Sequence, residues 1–444
     1  MMEVYYLLNL RISGIKSIET PIEIPFYKKT IKNDFDPEQY RVKGIYGENG
    51  SGKTAIMLAV RIMTRILLDR NYLSDSVNQR LLLESINKKT RRLSVDATYY
   101  TFDYTGPFIC HYQMVLEIGN DGRVCLAGEK LERKIGHNSQ MPYVLVFETR
   151  DGSLFKFNKG ELFKYCKEKT KNLLGQRSFA TFINEIEMAG YSLQSLPGRH
   201  LFSLAVFASR IYVEIDEADD HREDAYQKLK KLNSDEILRE QEELTIYSWA
   251  SAVKHRTMET VITRNQLPFF LEQIDRLSAF VRIFKPNLKN IDLETKEYGE
   301  FLICRRVMEY EGFRLDEEYE SRGIKKLMRL FDILDAASKG NIVFIDELDS
   351  NINDIYLDKL IEYFTYYGKG QLCFTAHNLS PMSVLRNSKC AISFISGVNT
   401  VHTWTSKGNQ NPEHAYRDGF IEDSPFNVDA SDFLGVLGGA DEDE

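Results

Sequence analysis

With 444 residues, 43% of them hydrophobic, and a formal net charge of −8, the chain is longer than one average domain, has apolar content for a real core, and is no polyanion binder as a whole. Its six cysteines (Cys110, Cys125, Cys166, Cys304, Cys373 and Cys390) are scattered, with no C-x-x-C pair and no histidine at ligand spacing, which speaks against zinc or disulfides and for free thiols in a reducing cytoplasm. No apolar run approaches bilayer length and no basic-then-apolar leader opens the chain, so a soluble cytoplasmic protein of two or three lobes, with no membrane partner, is expected.

Residues 3–26 alternate strongly and read as two strands around Gly14-Ile15-Lys16-Ser17. Residues 42–46 read as a short buried strand and 55–68 as a helix. Between them stands Gly47-Glu48-Asn49-Gly50-Ser51-Gly52-Lys53-Thr54, a complete G-x-x-x-x-G-K-[ST] loop. Such a loop needs glycines where backbone amides close around a polyphosphate, an ammonium for the outer phosphates and a hydroxyl for magnesium. Gly47, Gly50 and Gly52 meet the first need, with Asn49 and Ser51 inside the same loop. Lys53 meets the second and Thr54 the third. The helix N-terminus that follows offers unpaired amides and the positive end of its dipole to the same anion. ATP with Mg2+ is the expected ligand pair.

Further along, Lys88, Lys89, Arg91 and Arg92 form the densest basic cluster, a solvated turn by default and a nucleic-acid contact in the alternative. Residues 94–157 read as strands with hairpin turns at 119–122 and 150–152, an antiparallel lobe that closes an N-terminal unit spanning 1–157. Residues 158–299 are expected to be a helical insertion lobe. They include the charged run from Asp216 to Glu243, whose sparse apolar positions suggest an exposed hairpin.

From Asn290 the pattern returns to β, and over 300–405 strand, helix and strand alternate, which implies a parallel sheet with crossover helices, and hence an α/β fold with a mixed central sheet. Asn341-Ile-Val-Phe-Ile-Asp-Glu347 is a buried strand ending in two carboxylates. Asp346 is expected near magnesium, and Glu347 beside the terminal phosphate, where it can accept a proton from an attacking water. His377 ends the next strand and should emerge at the same sheet edge, as a γ-phosphate contact or, in the plainer alternative, a core histidine bonded to a backbone carbonyl. Ser321 caps a helix whose first turn contains Gly323, a start that suits a phosphate but is also that of an ordinary capped helix. Residues 406–444 read as a polar tail ending in acids, although Phe433, Leu434, Val436 and Leu437 are apolar enough to dock.

Together, Gly14-Ile-Lys-Ser17, Gly47 to Thr54, Glu320-Ser-Arg-Gly323, Phe344-Ile-Asp-Glu-Leu-Asp349 and Thr375-Ala-His-Asn378 resemble the motifs of ABC-class P-loop ATPase heads of the SMC, RecF and OLD group. They look closest to the "AAA family ATPase" proteins of phage-defence operons, AriA-like and AbiL-like. The resemblance covers 1–157 and 300–405. It implies that Ser321 and Gly323 form a signature loop contacting the ATP of a second protomer, and so a homodimer or higher oligomer. Ile324 replaces the second glycine usual in transporter cassettes, which weakens a transporter role. No glutamine-loop residue is evident beyond Gln113, and Lys16 is a weak nucleotide contact.

OLD relatives often continue into a Toprim nuclease domain, for which too little chain follows His377. A separate protein effector such as a nuclease is therefore expected, under the control of an ATPase acting as a sensor or scaffold in defence. The alternative is a RecF- or SMC-like ATPase of DNA repair or chromosome maintenance, contacting DNA through the basic cluster. A two-cassette translation factor is disfavoured by the single phosphate loop, and a GTPase by the lack of an Asn-Lys-x-Asp sequence.

Overall fold

The computed structural model describes residues 4–31, 35–103, 106–136, 141–157, 161–191, 198–215, 259–299, 301–397, 399–405, 410–421 and 424. The charged run from Asp216 to Glu243 and the tail apolar residues Phe433 to Leu437, with the acids that follow, lie outside them. Among the described residues no helix is long and apolar enough to cross a membrane, and all six cysteines are free thiols.

In the first part of the chain the strands are β1 (Tyr5–Ser13), β2 (Ile22–Pro25), β3 (Val42–Tyr46), β4 (Arg92–Asp103) and β5 (Gly106–Ile118). There follow β6 (Val124–Ile135), β7 (Val144–Arg150), β8 (Ser153–Phe157) and β9 (Ile211–Glu214). A third group is β10 (Glu259–Thr263), β11 (Leu288–Tyr298), β12 (Phe301–Tyr310) and β13 (Phe313–Asp316). The last are β14 (Ile342–Ile345), β15 (Gln371–Thr375), β16 (Ile392–Ile395) and β17 (Val401–Thr403).

The result is a mixed α/β molecule with three sheets among the described residues. A seven-stranded antiparallel sheet runs β2-β1-β4-β5-β6-β7-β8, a small antiparallel sheet gathers β10, β12, β11 and β13, and a six-stranded sheet runs β17-β16-β3-β15-β14-β9. In the last, β16, β3, β15, β14 and β9 are mutually parallel and β17 is an antiparallel edge. Its central strands are buried along their whole length because helices cover both faces. Ile342 and Phe344 pack with the Lys53–Leu68 and Gly198–Ser209 helices on one side. Val343 and Ile345 pack with the Leu267–Phe284, Arg322–Ser338 and Asp354–Tyr366 helices on the other.

Glycine in the middle of β3 has a packing cause. A Cβ on Gly44 would stand 2.7 Å from Cε2 of Tyr46, whose ring is fully buried beside Phe374 and Phe394. Two polar ties join the large sheets. The Gln371 side chain accepts from Leu7 N–H at 2.6 Å and donates to Leu7 C=O at 2.8 Å, beside the irregularity at Leu7–Asn9 where β1 slips against β4. Lys43 Nζ donates to Pro25 O at 3.0 Å and Cys390 O at 2.7 Å.

Two expectations need correcting. The span 158–299 is not helical up to its expected return to β at Asn290: β9 joins the parallel sheet and β10 belongs to the small antiparallel sheet, while β11 stands where the β pattern was read. At four residues, with Ile211 its one buried position, β9 is too short to show a strand period. Nor is all of 406–444 a polar tail. The Pro412–Arg417 helix buries Tyr416, which stacks on Phe394 at 5.3 Å between ring centres.

Candidate active site

The C-terminal edge of the parallel sheet collects the residues singled out by chemistry. β3 runs into the loop 47–52, and Gly52, at φ +107°, caps the Lys53–Leu68 helix. Gly50 also has a positive φ of +82°, so both positions need a residue without a Cβ. Gly47 is required by space, since a Cβ there would lie 2.3 Å from Ile395 O. Glu48, Asn49 and Gly50 are exposed, Thr54 is half-buried and Ser51 is buried, with its Oγ unpartnered.

The Lys53 ammonium is buried and folds back on its own loop, donating to Gly47 O at 2.7 Å and Glu48 O at 2.9 Å. Burial lowers its pKa, while the carboxylates of Asp346, Glu347, Asp349 and Glu48 act in the opposite direction. Those charges couple the glycine-rich loop to the end of β14, two strands away.

Beneath the loop, the turn after β1 is held in an unusual shape. Lys16 has φ +46°; its N–H donates to Ser85 O at 2.7 Å and its C=O accepts from Asn87 Nδ2 at 2.9 Å. Ser17 Oγ donates to Gly50 O at 3.3 Å. Ser17 is thus held against the glycine-rich loop, and both Lys16 and Ser17 are exposed.

At the end of β14 the chain turns sharply. Glu347 has φ +47°, a region that costs a side-chain-bearing residue on the order of 1 kcal/mol or more. It is held at both ends of its peptide: its N–H donates to Thr375 Oγ1 at 2.8 Å, and its C=O accepts from the buried Lys326 ammonium. The Glu347 carboxylate itself is 40% exposed and lies 3.8 Å from His377 Nε2, so it is accessible for proton transfer. The His377 backbone is fixed in turn, because Asp349 Oδ2 accepts from His377 N–H at 2.9 Å and from Asn378 N–H at 2.7 Å. Asp346 is buried, and its Oδ1 accepts from Thr375 Oγ1 at 2.5 Å.

Ser321 caps the Arg322–Ser338 helix by accepting from Ile324 N–H at 3.3 Å and is exposed. Gly323 backs onto the turn after β14: a Cβ there would be 2.7 Å from Asn351 O. Within one chain, then, the Ser321–Gly323 segment is attached to the Glu347 side of the site.

Gln113 is not brought into this group. It lies in β5, with its amide donating to Asp96 Oδ2 at 3.3 Å. The basic turn is largely engaged by its own neighbours. Lys88 pairs with Glu84 at 3.2 Å and Lys89 with Glu19 at 2.9 Å, and Arg91 donates to the carbonyls of Ile118 and Gly119. Three residues that position the site escaped the sequence reading. Thr375 and Asp349 stood inside quoted motifs without a role. Lys326 occupies a helix position that looks solvent-facing until its burial is seen.

Among the described residues no group of three or more His, Cys, Asp or Glu side chains forms a metal cage. The Thr54 hydroxyl and the Asp346 carboxylate are hard oxygen donors, of the type that Mg2+ accepts when phosphate and water fill its remaining positions.

A scan against protein-family models finds no match, and a search of curated proteins finds none either. Among solved structures, one similar chain is described as "Structure of the recombination mediator protein RecF-ATPrS in RecFOR pathway". The identity is 11% and the TM-score 0.38, over 90% of this chain and 99% of that one.

Proposed function

We propose that this protein is a magnesium-dependent ATPase of the ABC type. The observation that carries the reading is the meeting, at one edge of one parallel sheet, of a glycine-built anion loop with a buried ammonium and of two adjacent carboxylates at the end of β14, two strands away. In this reading Gly47 to Thr54 wrap the phosphates, and Lys53 leaves its own loop carbonyls for phosphate oxygens. Asp346 and Thr54 hold the cation, which supplies neutralisation of phosphate charge. Glu347 takes the proton of the attacking water, and His377 contacts the transferring group beside it. The fixed peptide of Glu347 supports that role, since a base is effective only when held in line with its water. Lys16 is a further contact offered to the same anion.

The test is a pair of variants. Lys53→Ala should lose ATP affinity by calorimetry while keeping the parental melting temperature. Glu347→Gln should bind ATP but hydrolyse it roughly a hundredfold or more slowly, the amide keeping shape without basicity. Parental affinity in the first, or parental turnover in the second, removes the corresponding assignment.

The finer reading is that two copies close around ATP, Ser321 and Gly323 facing the nucleotide of the partner, and that closure controls a separate protein effector in anti-phage defence. It is supported by what ABC-type closure does, turning hydrolysis into movement of an interface that must act on something bound. The pairing of Lys88 with Glu84 and of Lys89 with Glu19 offsets part of the charge that the DNA-repair alternative needs. Pull-downs from the native host under ATP and ADP separate the two: a protein partner supports effector control, and recovery of DNA alone supports repair.

A further inference from the structure

Thr375 closes β15 with no exposed surface, and its hydroxyl serves both carboxylate-bearing residues. Glu347 N–H is a donor, so Thr375 Oγ1 accepts there. The single hydroxyl proton is then committed to Asp346 Oδ1, at a distance of 2.5 Å typical of a charge-assisted O–H···O⁻ bond. The geometry is enforced from outside, because β14 and β15 are in parallel register from Ile342 with Gln371 to Ile345 with Phe374. That register brings the next residue of β15 level with the Asp346–Glu347 pair.

We propose that Thr375 is a positioning residue that sets how many oxygens Asp346 offers to a cation, and thereby selects a small octahedral cation of the magnesium kind over calcium. The inference rests on the nucleotide reading above. With Oδ1 holding the hydroxyl proton, Asp346 presents one free oxygen. Mg2+ takes one oxygen per carboxylate, demands short and nearly ideal octahedral contacts, and keeps several waters. Ca2+ is larger, takes six to eight oxygens and readily uses both oxygens of one carboxylate. A carboxylate with one oxygen already bonded serves the first ion and is a poor chelator for the second. The same hydroxyl anchors Glu347 N–H, so the orientation of the cation ligand and the start of the Glu347 turn are set by one atom.

Three variants of the full chain test this: Thr375→Ser keeps the hydroxyl, Thr375→Val removes it at nearly the same volume, and Thr375→Ala removes it with a smaller side chain. The measurement is calorimetric affinity for ADP with Mg2+ and, separately, with Ca2+, alongside melting temperature. In the parent and Thr375→Ser, Mg2+ should support the tighter complex. In Thr375→Val, Mg2+-supported affinity should fall roughly tenfold or more, the usual cost of losing an outer-shell partner, while Ca2+-supported affinity holds or rises. Thr375→Ala should show the same shift and stands in if the valine chain does not fold. An unchanged Ca2+-to-Mg2+ ratio in both hydroxyl-free variants, with parental nucleotide binding intact, overturns this inference alone. Absence of nucleotide binding by the parent overturns the nucleotide reading and this inference with it.

Discussion

The Lys326 ammonium donates to the main-chain oxygen of Glu347 from the second turn of the helix that Ser321 caps. One turn earlier on that helix, Gly323 lies against Asn351 O. The segment 347–351, which begins and ends on residues with positive φ (+47° and +60°), is therefore gripped at both ends by one short stretch of helix. Any shift of the Ser321 end is passed directly to the peptide that carries the proposed base.

Lys326→Met should consequently lower kcat roughly ten- to a hundredfold, the cost of a small misplacement at a reacting centre, and leave KM near the parental value. Lys326→Arg, which keeps a donor of similar reach, should recover much of the loss. Steady-state kinetics on the three chains decide it. A methionine variant with parental kcat shows that Glu347 is held well enough by Thr375 alone.

A composite site makes a different demand. If Ser321 and Gly323 serve the nucleotide bound by the partner, Lys53→Ala and Ser321→Arg chains should each be inactive alone. An equimolar mixture should regain about a quarter of parental activity, since half of randomly formed dimers are mixed and each holds one intact site of two. No recovery in mixtures where mixed dimers are demonstrated by differential tagging sinks the trans arrangement.

Lys43 supplies a pH signature. Burial lowers its pKa to about 8, against a smaller opposing influence from the Cys390 and Cys373 thiols, from an ordinary value of 10.5. Between those two values the unfolded chain holds a proton that the folded chain has released. The Lys43 contribution to stability therefore rises with pH across that window and is level below it. Subtracting a Lys43→Met variant isolates the group. The parent-minus-variant difference in unfolding free energy, from urea titrations, should climb by about 2 kcal/mol from pH 8 to pH 10. A flat or falling difference contradicts the folded-state ionisation.

Much of the site was readable because it is built from short local patterns. The strand 42–46 appears at its expected bounds, and the glycines of the loop announce their positive φ and close contacts in the residue choice alone. The Ile-Val-Phe-Ile run before Asp346 declares a strand buried on both faces. What stayed hidden depends on contacts between distant segments. β9 is recognisable only by its partner β14, Lys326 only by the carbonyl it reaches, and Thr375 only once two strands lie in register. Tyr416 reads as part of a polar tail until Phe394 is seen beneath it.

The Gln371 amide and the Leu7 peptide group are 364 positions apart in the chain. During synthesis the first strand emerges long before the glutamine that completes its hydrogen bonding. At about 5–20 residues per second the interval is roughly 20–70 s. Through that time Leu7 N–H and C=O must be served by water or by a temporary neighbour, and β3 likewise waits for β15 and β16 on either side of it. The nascent N-terminal half is thus an unfinished sheet with open edges, the kind of surface that pairs with other chains. This protein's yield on expression should depend on chaperone supply and translation speed more than its folded stability suggests.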